Sequence, residues 1–389
     1  MNVLVKNSLV DYLKLLRPRI SHQLISAQHW QNIETVAQAL PNTITTFFGF
    51  ESRLGNPKAH ADFLICAATE EMGKRILAQD SSSLSLPPSI QAHPVWNQIR
   101  QFAEQWNSKS SLLADLVHNM WLEFDVDDSL ASGDRIPVPS CFFGPKPIYA
   151  RSESQWTISQ ALKLIQDRDI PLTIAAKLST CFELLPQDAY VFQIGVMLAR
   201  QSDLVRVCIR DIAPQNILVY LTAIGWSGDI YSLRETLDSL SKYVDRIDLD
   251  IDIGETVLPK IGLECYLGKQ PEFEPRWQLL LNYLVASGLC LTEKKDSLLT
   301  YPGFIRQQHN PELWPQNLSA VSSLLGVGYE YIFFQGLHHI KLTYQDSAPI
   351  EAKAYLYASK SLINPNFVSN YRTWKNSQPS SSQQEENQS

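Results

Sequence analysis

VDRIDLDIDIGETVLPKIGLECYL, Val244 to Leu267, is the stretch from which the fold can be read. In its first half Ile247, Leu249 and Ile251 alternate with Asp248, Asp250 and Asp252. In its second half Ile261, Leu263, Cys265 and Leu267 alternate with Lys260, Gly262, Glu264 and Tyr266. A period of two sends every apolar side chain to one face of a sheet and every polar one to the other. Gly254 and then Pro259 mark the turn, so the stretch predicts a hairpin with a loop of several residues. A sheet with one apolar and one charged face either meets bulk water or lines a cavity. The function turns on which of the two holds.

Moving outward, the same unit returns along the chain: helix, strand, strand, helix. Helical sequence between Leu9 and Leu40 precedes strands at Thr45–Leu54 and Ala61–Ala67. A helical run from Val95 to Met120 precedes strands at Trp121–Val126 and Val138–Phe143, joined by a polar loop with Asp127, Asp128 and Gly133. Helices at Ile158–Asp167 and Leu172–Leu185 precede strands at Tyr190–Ala199 and Leu204–Asp211. The helix before the central hairpin is expected to open with a capping box of Ser232 and Glu235. Trp277, Leu280, Leu281 and Leu284 give the apolar stripe of the helix after it. A fifth strand pair is expected at His338–Gln345 and Glu351–Ala358, with Pro349 in its turn. Residues 1–375 read as one domain, and 376–389, which lack apolar anchors, as a disordered polar tail.

The 389 residues are 44% hydrophobic and 19% charged, ordinary values for a globular chain. A formal charge of −7 argues against nucleic acid as a partner, because that needs a basic field. No apolar run is long enough to span a bilayer. The six cysteines are scattered without a CxxC pair, which disfavours structural zinc. They read as buried free thiols in a reducing cytoplasm. GxSxG, the P-loop and a GxGxxG after a strand are all missing.

Five hairpins make about ten strands, and a twisted sheet of that length tends to close, which removes its exposed edges. The helices need apolar partners and must cover the apolar strand faces, so the polar faces line a lumen. The fold expected is α+β: repeated α-β-β-α units forming an antiparallel barrel of about ten strands, with a polar lumen, inside a ring of helices. This order of elements with a polar interior resembles the ABBA-fold aromatic prenyltransferases. That resemblance implies a transferase moving an isoprenoid group from an allylic diphosphate onto an aromatic or peptide acceptor, in secondary metabolism. It implies no obligatory cofactor, with Mg²⁺ as an optional assistant.

The alternation assigns residues to the lumen. Arg206 and Arg210, Lys260, Lys341 and Lys353 are the cations expected to hold a diphosphate, in charge-assisted hydrogen bonds worth about 1.5–3 kcal/mol each. Tyr266, Tyr355 and Tyr357 offer ring faces to an allylic cation, an attraction of about 2 kcal/mol when desolvated. In the resembled family Lys-x-Tyr strand patterns do this work. Lys353-Ala354-Tyr355 matches the pattern, and Lys341-Leu342-Thr343 matches its first half. The acids are expected in the opposite half of the barrel. Glu51 and Glu123 are the candidates for a general base, and Trp121 and Asp125 for the acceptor pocket.

Other readings of the same residues stay open. Asp248, Asp250 and Asp252 form either a solvated strand face or a set of oxygen ligands for Mg²⁺. Lys341 and Lys353 can instead pair with Glu351, Glu264 or Asp250 across the sheet. His338-His339 has no ligand-like spacing around it and reads as structural. The alternative function is a non-catalytic accessory protein that binds a ligand or partner with the same sheet.

Overall fold

The structure, a computed structural model, describes residues 7–80, 85–126, 136–145, 151–200 and 202–364, with side chains of the helix at 151–166 described from 158 onward. The strands, in chain order, are β1 (Phe47–Arg53), β2 (Ala61–Ala68), β3 (Val117–Phe124), β4 (Ser140–Pro145), β5 (Tyr190–Val196) and β6 (Val205–Arg210). They continue with β7 (Arg246–Ile253), β8 (Val257–Tyr266), β9 (Gly303–Ile305), β10 (Glu330–Gln345) and β11 (Ala348–Ile363). Strands β1 to β8 pair in sequence, β8 pairs with β10, β10 with β11, and β11 returns to β1. All these pairings are antiparallel, and they close a barrel of ten strands. The eleventh strand, β9, lies outside the ring and pairs with the first half of β10, Phe333 opposite Ile305.

Apolar alternation sets which way each strand faces. Phe48, Phe50, Phe63, Leu122, Phe124, Ile209, Leu249, Leu263 and Leu342 are buried on the outer face under helices. The helix Pro94–Asn107 shows why the helices sit there. It buries Trp96, Ile99, Phe102 and Trp106 along one side. Phe102 meets Phe143 of β4 at 5.5 Å, and Trp96 meets Phe124 of β3 at 6.3 Å. On the helix Ala27–Gln38, Trp30 packs on Phe50 of β1 at 5.5 Å. Each such ring contributes roughly 1.5–3 kcal/mol by leaving water, so covering the outer face outweighs exposing it, and the charged face is left inside.

Several boundaries differ from the expectation. The helical run expected to Met120 ends at Asn107, and after a short helix at Leu112–Leu116 the chain is already strand at Val117. The spacing of Leu116 and Met120 fits a helix, but Met120, Leu122 and Phe124 also fit a strand, and the strand forms. The helix Ile230–Leu240 is capped by Asp229, which accepts from the backbone N–H of Tyr231 and Ser232, so the Ser232–Glu235 capping box is not the one used. Pro259 lies within β8 and Pro349 within β11, so neither marks a turn. The last hairpin is far longer than expected, with 16 residues in each strand, and turns at Asp346, whose φ is +58°. The polar loop with Asp127, Asp128 and Gly133 and the tail at 376–389 lie outside the described residues.

The six cysteines are free and buried, as their scatter suggested. No helix among the described residues is long and apolar enough to cross a membrane.

Candidate active site

Two connected chambers occupy the lumen. One, of about 360 Å³, opens at the barrel end where β3 and β5 begin and is walled mostly by rings. The other, of about 60 Å³, lies toward the opposite end and is walled mostly by charges. Leu64, Glu123, Arg206, Lys341 and Tyr355 border both and form the waist between them.

All twelve candidate site residues line one chamber or both. Trp121, Arg210, Tyr266 and Tyr357 face the ring-walled chamber, and Glu51, Asp125, Lys260 and Lys353 the charged one. Their grouping differs from expectation. Cations and acids are not in opposite halves but interleaved, because the strands that carry them are neighbours. Arg206 stands opposite Asp252 and binds it with two hydrogen bonds, 2.7 and 2.9 Å. Lys353 lies 2.8 Å from Glu51, which also accepts the hydroxyl of Tyr355. Asp125 accepts from Nε and Nη2 of Arg200 at the barrel end, away from the Trp121 chamber where it was expected. Lys260 alone of the five assigned cations has no carboxylate within 4 Å among the described residues.

Lys341 reaches furthest. From β10 it crosses β8 to form an ion pair with Asp250 on β7, and lies 3.5 Å from Glu264 on β8. Gly262 of β8 makes this possible: a Cβ there would stand 2.7 Å from Lys341 Cε and 3.0 Å from Asp250 Cβ. Burial disfavours the Lys341 charge, but Asp250 and Glu264 outweigh it and hold the ammonium protonated.

The three aspartates of β7 do not fit a divalent ion. Asp252 is taken by Arg206, Asp250 by Lys341, and Asp248 by Arg210 at 3.0 Å and Arg246 at 2.7 Å. Their oxygens already face fixed cations. No cluster of metal-binding type occurs among the described residues.

The two candidate bases differ. Burial pushes the Glu51 carboxyl up, but the Lys353 charge and the hydrogen bonds from Lys353 and Tyr355 overcome it and hold it well below the usual carboxylate range. Glu123 has no such close cation: burial and the neighbouring Glu51 charge push it up to about 8. Its side chain is partly exposed, and it borders both chambers of the lumen. Near neutral pH Glu51 is therefore a fixed anion and Glu123 a group that can hold or release a proton.

Several residues that alternation did not single out complete the larger chamber. Phe47 stacks on Tyr357 at 5.3 Å and meets Trp121 edge-on at 5.6 Å. It has the phase of Glu51 on the same strand, so alternation could have found it. Phe192 and His338 could not be found this way. Each sits at a register shift, in β5 between Val191 and Gln193 and in β10 between Leu337 and His339. An extra residue in a strand breaks the period of two and re-aims its side chain. Phe192 lies under the Arg210 guanidinium at 4.1 Å, and Arg246 covers Tyr266 at 4.2 Å. Phe142 lies flat in the wall because its neighbour on β5 is Gly195, where a Cβ would meet the ring at 2.3 Å.

No protein-family model and no curated protein sequence matches this chain. In three dimensions it is similar to the crystal structure of AnaPT from Neosartorya fischeri, with a TM-score of 0.50 and 13% identity over 93% of this chain and 96% of that one. That likeness, with the closed barrel of ten strands, shows the ABBA fold.

Proposed function

We propose that this protein is a prenyltransferase that moves an isoprenoid group from an allylic diphosphate onto an aromatic or peptide acceptor inside the barrel. One observation carries the reading: a waist holding the cations Arg206 and Lys341 opens directly into a chamber of aromatic rings. The volume of that chamber, about 360 Å³, is within the range of small-molecule sites. A likeness in fold to AnaPT, an ABBA aromatic prenyltransferase, supports it.

In this reading Arg206 and Lys341 at the waist, with Arg210 above and Lys353 and Lys260 below, receive the diphosphate. As the allylic C–O bond breaks, its electron pair leaves with the diphosphate and the cation forms between Tyr266, Tyr355 and Tyr357. Ring faces stabilise it, and the barrel wall keeps water from capturing it. The acceptor, against Trp121, attacks through a ring carbon. The proton lost from that carbon passes to Glu123, whose affinity for it is near neutral. Glu51, kept anionic by Lys353, fixes the lysine and Tyr355 in place. The buried free thiols suit a cytoplasmic enzyme.

A second reading, a protein that holds a ligand without transferring anything, is favoured by the ion pairs: four of the five assigned cations already have a carboxylate partner. Incubation with dimethylallyl or geranyl diphosphate and a panel of aromatic acceptors separates the two. Transfer predicts a prenylated product by mass spectrometry, lost in a Lys353→Ala, Arg206→Ala double variant. Undiminished product in that variant would overturn the site, and no product from any acceptor would favour the second reading.

A further inference from the structure

The helix Gln316–Leu325 lies on the outside of β10 and buries Leu318 there, while Trp314 just before it meets Phe333 edge-on at 5.8 Å. Its other side is apolar and bare. Val321, Leu324, Leu325, Val327 and Tyr329 are all exposed, Leu324 at 86% and Val327 at 100%. Leu362, near the end of β11, is exposed as well. No charged residue stands between Glu312 and Glu330. A helix face that meets water is ordinarily polar, and exposed apolar residues are ordinarily scattered singly. Five of them within nine positions make a face that needs a cover.

The chain itself supplies one at that spot. The bare face runs into β10 at Glu330, whose partner across the hairpin is Ile363, the last residue of β11. Beyond it come Asn364 and then residues 365–389, which lie outside the described residues. Asn364 and Pro365 are the residue types favoured at the N-cap and first position of a helix. Phe367, Val368, Tyr371 and Trp374 follow at i, i+1, i+4 and i+7, which is one apolar stripe. No large apolar residue comes after Trp374.

Length and charge agree. Residues 365–375 make a helix of about 16 Å, against about 15 Å for Gln316–Leu325. The two segments start from cross-strand partners about 5 Å apart, so no linker is needed. The charges within 365–375 are Arg372 and Lys375, both positive, and those that bound the bare face are Glu312 and Glu330, both negative. Glu330 already faces Arg306 at 3.3 Å, and Glu312 is exposed.

We propose that residues 365–375 form an amphipathic helix that docks on this face, its stripe of Phe367, Val368, Tyr371 and Trp374 covering Val321, Leu324, Leu325 and Val327. β11 meets the first residue of β1 at Ser359 and runs four residues past it. The docked helix therefore clamps a hairpin end that overhangs the barrel. Nothing in this needs a substrate, so it stands or falls apart from the transfer reading.

Hydrogen exchange of the full chain, read by mass spectrometry, tests it. Amides of 365–375 should exchange at least about tenfold more slowly than in a free peptide of the same sequence. That protection should be equal at low and high protein concentration. Leu324→Ser with Val327→Ser should abolish it and lower the melting temperature, and so should Phe367→Ser with Trp374→Ser. Substitutions at sites open to water would leave that temperature nearly unchanged. All four together should lower it no further than either pair, the mark of two faces in contact. Exchange at the free-peptide rate, or protection that survives Leu324→Ser with Val327→Ser, would overturn the proposal. Protection that grows with protein concentration would assign the face to a second copy of the chain, and would overturn it too.

Discussion

Glu51 and Glu123 share one lumen, and their surroundings drive them opposite ways. Glu123 is raised from 4.5 to about 8 by burial and then by the Glu51 charge. Between those values the unfolded chain has lost its proton while the folded chain keeps it, so stability falls as pH rises through that window and levels above it. Asp62, raised to about 6 by burial and Glu51, adds to the fall at the lower end of the window. Glu51 acts with the opposite sign: its lowered carboxyl contributes stability that is present above its unfolded value and lost only in acid. Urea unfolding midpoints of Glu123→Gln should therefore decline less than wild type between about 4.5 and 8, and the variant should be the more stable one at alkaline pH. Identical pH slopes would remove Glu123 as their source. The alternation of apolar and polar residues placed Glu123 in the lumen but missed Phe192 and His338, which enter it at register shifts. Asp250 was among the partners the sequence offered Lys341, but it did not show that Gly262, on the strand between them, leaves the room for that contact.

The hairpins were legible as elements because each carries a run of period two, but their ends were not. Helix and strand spacing coincide at Leu116 and Met120, and only packing on β4 and on the helices outside decides for strand. The start of the helix Ile230–Leu240 is a similar case. Ser232 and Glu235 have the spacing of a capping box, yet Asp229 stands in extended backbone at the N-cap and takes the backbone N–H groups of Tyr231 and Ser232. Ser232 instead donates its hydroxyl to Asp229. Asp229→Ala should lower the melting temperature more than Ser232→Ala, because it leaves two helix-end donors without their acceptor. The reverse order in differential scanning calorimetry would restore Ser232 as the cap. The two register shifts, at Phe192 and His338, mattered most for the site and left no trace in the residue pattern.

For the molecule as a whole, closure inverts the usual arrangement of a small barrel, with apolar strand faces under helices and charges within. A lumen so charged stays folded because its cations and acids pair. Breaking a buried pair by removing one partner costs about 3–5 kcal/mol. The proposed function asks these pairs to do one thing more: to share their cations with a diphosphate whose oxygens compete with Asp252, Asp250 and Glu51 for Arg206, Lys341 and Lys353. A calorimetric titration with an unreactive thiolo analogue of dimethylallyl diphosphate tests that exchange most directly. Saturable binding at one site is expected, weakening as salt rises and at least about tenfold weaker in Arg206→Ala. Heat indistinguishable from dilution, or an affinity that Arg206→Ala leaves unchanged, would contradict it.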